Sequence, residues 1–173
     1  MMDLLRQRRS VRRYLDRPIE PEKVDLLKEG VLRSPSSRNF DPWEFIFVQD
    51  KVSLEALSKS KPHGASFLKG AALGIVVCAD EGKSDVWEED CSIASILTQL
   101  TAQSLGLGSC WVQIRKRFYE DSTSSEDYIR RVFGIPDNIR MLSIIGIGYP
   151  AEKPEPIARE ALKDEKIHLN RWS

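Results

Sequence analysis

Ser34-Pro35-Ser36-Ser37-Arg38-Asn39-Phe40-Asp41-Pro42-Trp43-Glu44-Phe45-Ile46-Phe47-Val48 is the stretch on which the fold turns. Its first nine residues are three hydroxyls, an amide, a carboxylate, a guanidinium, two prolines and one phenylalanine, and predict a polar loop. From Trp43 to Val48 aromatic and β-branched residues take over and predict a strand. Upstream, Val24, Leu27 and Val31 keep a 3.6-residue stripe, which predicts a helix. Pro21 suits its first turn, where the missing N–H costs nothing. The helix must close before Pro35, which pushes Ser34 out of the α region.

The same reading extends to both ends. Asp3 to Arg9 predicts a short helix with Leu4 and Leu5 as its apolar contribution, and Pro18 and Pro21 bracket a turn. A helix is expected around Ser53 to Ser60. Ala72 to Ala79 (ALGIVVCA) is a continuous apolar run, as in a strand buried on both faces. Asp85 to Leu105 predicts the longest helix, with Ile93, Ile96, Leu97 and Leu100 marking its apolar side. Gly106 and Gly108 close it. Ser109 to Val112 predicts a short strand. A helix is expected to start at Ser124-Ser125-Glu126-Asp127 and stop at Gly134 and Pro136. Met141 to Ile147 predicts another buried strand. From Tyr149 the chain is Pro-rich and charged and ends HLNRWS, a segment unable to bury itself. No repeat or linker divides the chain. Residues 1–173 are expected to form one domain with a tail from 150 to 173. The mixed order of elements points to an α+β fold, an α/β sandwich around about four strands.

The chain has 173 residues, enough for one domain. Lys plus Arg and Asp plus Glu number 26 each, so the formal net charge is zero. That balance argues against a general nucleic-acid or polybasic membrane binder. No apolar run approaches the ~20 residues of a membrane span, and Met1 to Arg13 holds no apolar leader segment. Three cysteines (Cys78, Cys91, Cys110) are an odd, widely spaced set, and predict reduced thiols in a cytoplasmic protein. His63 and His168 are isolated, so no metal site is expected.

Charge is uneven along the chain. The first twenty residues hold six arginines against Asp3, Asp16 and Glu20. Arg8-Arg9-Ser10-Val11-Arg12-Arg13-Tyr14 has the makings of an anion cradle, because guanidinium binds phosphate bidentately and stays charged. The competing reading is a solvated basic helix end. Ser34-Pro35-Ser36-Ser37-Arg38-Asn39 offers hydroxyls, an amide and backbone N–H groups suited to a polar heterocycle, or simply an ordinary turn. Gly106-Leu107-Gly108 follows a helix and precedes a strand, the reverse of the order a dinucleotide-binding fingerprint needs. Cys110 reads as a small buried residue, and His63 as a loop residue.

Taken in order, these signals resemble one family. An N-terminal R-R-S-x-R-x-Y, then S-P-S-S-x-N-x-x-P-W-x-F, a small-residue helix ending in G-L-G-x-C-W, and G-Y-P with an Arg-bearing tail are similar to the FMN-dependent nitroreductases. The resemblance covers nearly the whole chain and implies a mostly antiparallel sheet flanked by helices. It further implies a homodimer with FMN at the interface and a tail reaching the partner. Carried onto this sequence, Arg8 binds the FMN phosphate with Arg9 and Ser10 beside it, and Arg12 lies at the flavin N1/O2 edge. Pro35, Ser36, Ser37 and Asn39 approach from the other subunit. Val112 and Gln113 run beside the ring, with the Gln113 N–H a donor to N5, and Arg159 returns to the phosphate.

The resemblance implies a ping-pong oxidoreductase. It takes hydride from NADH or NADPH and reduces nitroaromatics, quinones or similar small acceptors, with no side chain as nucleophile or base. A flavin-binding sensor or carrier without efficient turnover, and a specialised reaction such as reductive dehalogenation, are the alternatives. The sequence departs from the family at Ile157, where a Lys is common, and at Gly64 to Phe67, where some members carry Asn and Lys. It departs again at Gln113-Ile114 along the flavin segment. Fewer cations on the cofactor are therefore expected.

Overall fold

The strand Leu73–Asp80 (β2) is buried at seven of its eight residues, and with Ile139–Gly148 (β6) it forms the centre of a four-stranded sheet. The computed structural model describes residues 1–172; the last position of the expected tail, Ser173, lies outside the described residues. Trp43–Val48 (β1) and Gly108–Gln113 (β3) flank the pair, in the order β1-β2-β6-β3. All three pairings are antiparallel, with Phe45 opposite Val77, Ile75 opposite Ile145, and Cys110 opposite Gly146. Central strands with near-continuous apolar sequences need cover on both faces, and both are covered.

On one face lie helices Pro21–Leu32 (α2) and Trp87–Ser104 (α4), where Val24, Leu27, Cys91 and Ala102 pack on Ile75, Val77, Ile145 and Ile147. On the other lie Lys51–Ser58 (α3) and Ser125–Phe133 (α5), where Leu54, Leu57 and Ile129 pack on Val76, Val112 and Ile144. The Asp50 carboxylate caps α3 by accepting the Ser53 N–H at 2.8 Å. Ser124 caps α5 in the same way, accepting the Asp127 N–H at 3.0 Å. Gly134 closes α5 at φ +64°, where a side chain would be strained.

Helix α4 corrects one expectation. Ile93 and Ile96 are 39% and 38% exposed; Leu100 is buried as expected, together with Cys91, Ala94, Ser95, Thr98, Gln99 and Ala102. Small residues bring the helix backbone close to the sheet, near enough for Ser95 Oγ to meet Ser143 Oγ at 3.0 Å. The hydroxyls of Ser95 and Thr98 also bond back to the carbonyls of Cys91 and Ala94, so burying them leaves no polar group unsatisfied.

The first helix is Met2–Gln7 (α1), shorter than expected. A hairpin of Phe118–Glu120 (β4) and Thr123–Ser124 (β5) has no counterpart in the sequence reading, because strands of three and two residues are too short to show a two-residue alternation. After β6 the chain stays zipped to the N-terminal segment. Leu15 N–H donates to Tyr149 O at 2.9 Å and Ala151 N–H to Arg13 O at 2.8 Å. From Glu155 to Ile167 every residue is exposed. No helix among the described residues is long and apolar enough to cross a membrane.

Candidate active site

Strand β3 is the sheet edge, and the Arg-rich segment lies along it. Val11 N–H donates to Ser109 O at 2.9 Å, from the side away from β6. Ile114 N–H donates to Leu142 O at 3.1 Å, on the β6 side. Backbone groups in an antiparallel strand alternate in direction. Trp111 and Gln113 therefore turn their N–H and C=O groups toward the open edge, while Val112 is bonded inward and its side chain is fully buried. The Gln113 side chain is held by Trp111 Nε1 at 3.0 Å and by donation to Arg115 O at 3.1 Å.

Close packing fixes the segment against the strands. A Cβ on Gly108 would sit 2.8 Å from Val11, and one on Gly148 would sit 3.0 Å from the Tyr14 ring. The Tyr14 hydroxyl bonds to Val11 O at 2.6 Å and Gly146 O at 3.0 Å. Burial drives its pKa far above the usual phenol value, so it stays neutral. Glu152 completes the arrangement, its Oε1 accepting the N–H groups of Arg12 at 2.6 Å and Arg13 at 3.1 Å.

Around Cys110 this brings cations together. Burial pushes the Cys110 thiol up, while Arg12, a hydrogen bond with Ser10, Arg8 and Lys61 act in the opposite direction. Lys61 is pulled below the usual lysine range by burial first and by Arg117 second. Among the described residues, none of Arg8, Arg12, Lys61 and Arg117 forms an ion pair with an Asp or Glu. Arg8 instead donates to Gln99 Oε1 at 3.4 Å. Arg8, Arg12 and Lys61, the three that act on Cys110, are cations free of any ion pair with a carboxylate among the described residues, an arrangement suited to an anion.

The other expected residues lie elsewhere. Ser36, Ser37 and Asn39 belong to the loop before β1, with Arg38, Asn39 and Asp41 at φ +52°, +59° and +46°. Three left-handed residues within four positions need an external hold. The buried carboxylate of Asp90 supplies it, accepting Ser37 N–H at 2.8 Å and the Ser84 hydroxyl at 3.1 Å. The Ser36 hydroxyl bonds Asp41, and Pro35 is exposed. Asp90 and Gln99 are nine residues apart on α4, about 14 Å along the axis, so one chain holds its loop and its Arg8 at different ends of that helix. Arg9 turns away to the Glu155 carbonyl, beside a cleft of about 570 Å³ between the tail and the end of α4. Arg159 is engaged within the tail, bidentate to Asp164 at 2.9 and 3.1 Å.

Lys61, Asp90 and Glu152 are the site residues that sequence reading missed. Lys61 supplies a cation three residues before Gly64, so the expected shortfall of positive charge is smaller than the motif suggests. Nothing local distinguishes these three from surface charges. The one available signal was Asp90, the last charge before the uncharged run of α4.

Comparison with known proteins gives the same picture. The nitroreductase family model matches residues 5–149. An FMN-dependent nitroreductase from Clostridium difficile R20291 is 43% identical, with a TM-score of 0.98 over 99% of this chain and 100% of that one. A Methanothermobacter thermautotrophicus protein with the provisional name NADH dehydrogenase/NAD(P)H nitroreductase is 36% identical over 99% of this chain and 87% of its own length. A Bacillus subtilis FMN reductase [NAD(P)H] is 25% identical over 96% and 73%. With its sheet, its Arg-rich edge segment and its left-handed Ser/Asn loop in place, the chain belongs to the nitroreductase family.

Proposed function

We propose that the protein is an FMN-dependent oxidoreductase that uses NADH or NADPH to reduce nitroaromatics, quinones or similar acceptors by a ping-pong mechanism. The observation that carries this reading is the Arg-rich segment bonded along the β3 edge, which brings Arg8 and Arg12 together with Lys61 around Cys110. FMN needs a cradle for a phosphate dianion, a fixed positive charge beside the ring edge that becomes anionic on reduction, and a donor to the ring nitrogens. The residues fit each need. Arg8 with Ser10 would hold the phosphate, with Arg9 and Arg159 available at its margin. Arg12 and Lys61 would face the ring, and the outward Gln113 N–H is the edge donor. Bound FMN supplies the hydride chemistry, and the protein's part is orientation and charge.

Two copies complete the site in this reading. Pro35, Ser36, Ser37 and Asn39 would come from the partner, because one chain holds them far from its own Arg8. Exposed Leu5, Ile93 and Ile96, and Ile157, Leu162 and Trp172 in the tail, supply apolar surface for such a contact. Residues 1–173 then act as one FMN-binding domain with the 150–173 tail laid on the partner. Three free, buried thiols favour a cytoplasmic setting.

An anaerobic visible spectrum tests the proposal. The protein is expected to take up FMN, bleach on adding NADH or NADPH, and recolour on adding menadione or a nitrofuran. A protein that binds no FMN, or binds it and does not bleach with either donor, overturns the reading.

A further inference from the structure

We infer that the turn Lys116-Arg117-Phe118 is the docking point for the phosphorylated adenosine end of the electron donor, and that it selects NADPH over NADH. The inference rests on the oxidoreductase reading and names the donor that site prefers.

The turn follows closely on the end of β3. It begins three residues after Gln113, whose N–H faces the open edge of β3. It is also rigid. Arg117 N–H donates to Ile114 O at 3.0 Å, Ser125 N–H donates to Arg117 O at 2.9 Å, and Lys116 is held at φ +57°. Behind it Tyr119 stacks on Tyr128 with centroids 4.1 Å apart and planes at 13°, and the Tyr128 hydroxyl bonds Ala56 O of α3 at 3.0 Å. An anchored backbone lets Arg117 lose little freedom on binding.

Charge points the same way. Arg115 is already neutralised by Glu88. Neither Lys116 nor Arg117 has a carboxylate partner among the described residues, although Glu120 and Asp121 lie on the same hairpin. Arg117 also presses its charge on Lys61, so the turn continues the cation series that runs past Cys110 to Arg12. One flavin phosphate and one ring edge are served by Arg8, Arg12 and Lys61. Arg117 and Lys116 remain, at the end away from the Arg8 cradle. The next residue, Phe118, is 60% exposed and offers an apolar ring on the same turn. That pairing matches an adenosine carrying a 2′-phosphate, which brings close to two negative charges and is recognised elsewhere by arginine. NADH has only a neutral hydroxyl at that position.

The test compares kcat/KM for NADPH and NADH with menadione as acceptor in wild type, Arg117→Ala and Arg117→Lys, together with competition by adenosine 2′,5′-bisphosphate and by adenosine 5′-monophosphate. Wild type is expected to favour NADPH by about tenfold or more, the size of one lost charge-assisted hydrogen-bond pair. Arg117→Ala should lose that preference with NADH changed less than about twofold. Arg117→Lys should keep part of it. The bisphosphate should compete with NADPH in wild type better than the monophosphate does, and should lose that advantage in Arg117→Ala. A wild type that favours NADH, equal losses for both donors in the alanine variant, or no difference between the two adenosine nucleotides overturns the inference. In each of those cases a yellow protein that turns over leaves the oxidoreductase reading standing, whereas a protein that never takes up FMN brings down that reading instead.

Discussion

In the proposed site Arg8 and Arg12 are the residues on which anion binding would rest, because a guanidinium stays charged at every working pH. Replacing both with alanine is expected to weaken FMN binding by about a hundredfold, at roughly a factor of ten for each charge-assisted contact. Quenching of flavin fluorescence on titration measures this, and an unchanged affinity would reject the assignment of the two arginines. The cysteines have the opposite character. Burial pushes Cys78 up to about 12 and raises Cys91 and Cys110 as well. The thiolate is the reactive form, so all three should resist a disulfide reagent at pH 8 in the native protein and react once it is denatured. Arg8, Ser10 and Arg12 could be read directly from the chain, since they share one short run. Lys61 and Glu152 could not, because each comes from a segment with no pattern and reaches the site only through the fold.

Among the elements, the seam between β3 and the Arg-rich segment depends on a missing side chain. Gly108→Ala would force a methyl to within 2.8 Å of Val11. The expected cost is about 1–3 kcal/mol, with weaker FMN binding as Arg12 shifts, and denaturant unfolding followed with and without FMN checks both parts. The loop before β1 depends on Asp90. Asp90→Ala leaves the Ser37 N–H without its acceptor and should cost about 1–3 kcal/mol, while Asp90→Asn, which retains an acceptor, should recover much of it. The start of α2 is tied to the end of β6 through Glu20. Donation by the Tyr149 hydroxyl, with its own backbone N–H and Arg17, lowers the Glu20 carboxyl from 4.5 to about 2. A lowered folded-state pKa stabilises above the unfolded value and is lost as pH falls toward the folded one. The stability difference between wild type and Glu20→Gln should therefore be constant above about pH 5 and shrink between pH 4.5 and 2. Most elements were legible from periodicity and turn residues. The face of α4 was misread because Ile93 and Ile96 follow the helical stripe faithfully but point outward, leaving the sheet to Ala94, Ser95 and Thr98.

For the whole molecule, the proposed dimer makes a direct statement about mass and cofactor together. Light scattering should give twice the chain mass, and a chain ending at Glu152 should lose both dimerisation and FMN, because in the proposed dimer the tail lies on the partner. A dimer that survives this truncation with FMN intact would remove the tail from that role. Local information along the chain was enough for helices, strands and the closing turns, since these follow from 3.6-residue stripes, apolar runs and the backbone limits of Pro and Gly. It was enough, too, for the resemblance carried by the Arg and Ser/Asn motifs. The strand order and the gathering of Arg8, Arg12 and Lys61 around Cys110 came from the fold alone. Those residues lie up to about a hundred positions apart, and they meet because β3 pairs with β6 at the sheet edge and leaves its other side to the Arg-rich segment. No local pattern encodes a pairing across that distance. It is set by which apolar faces can be buried together.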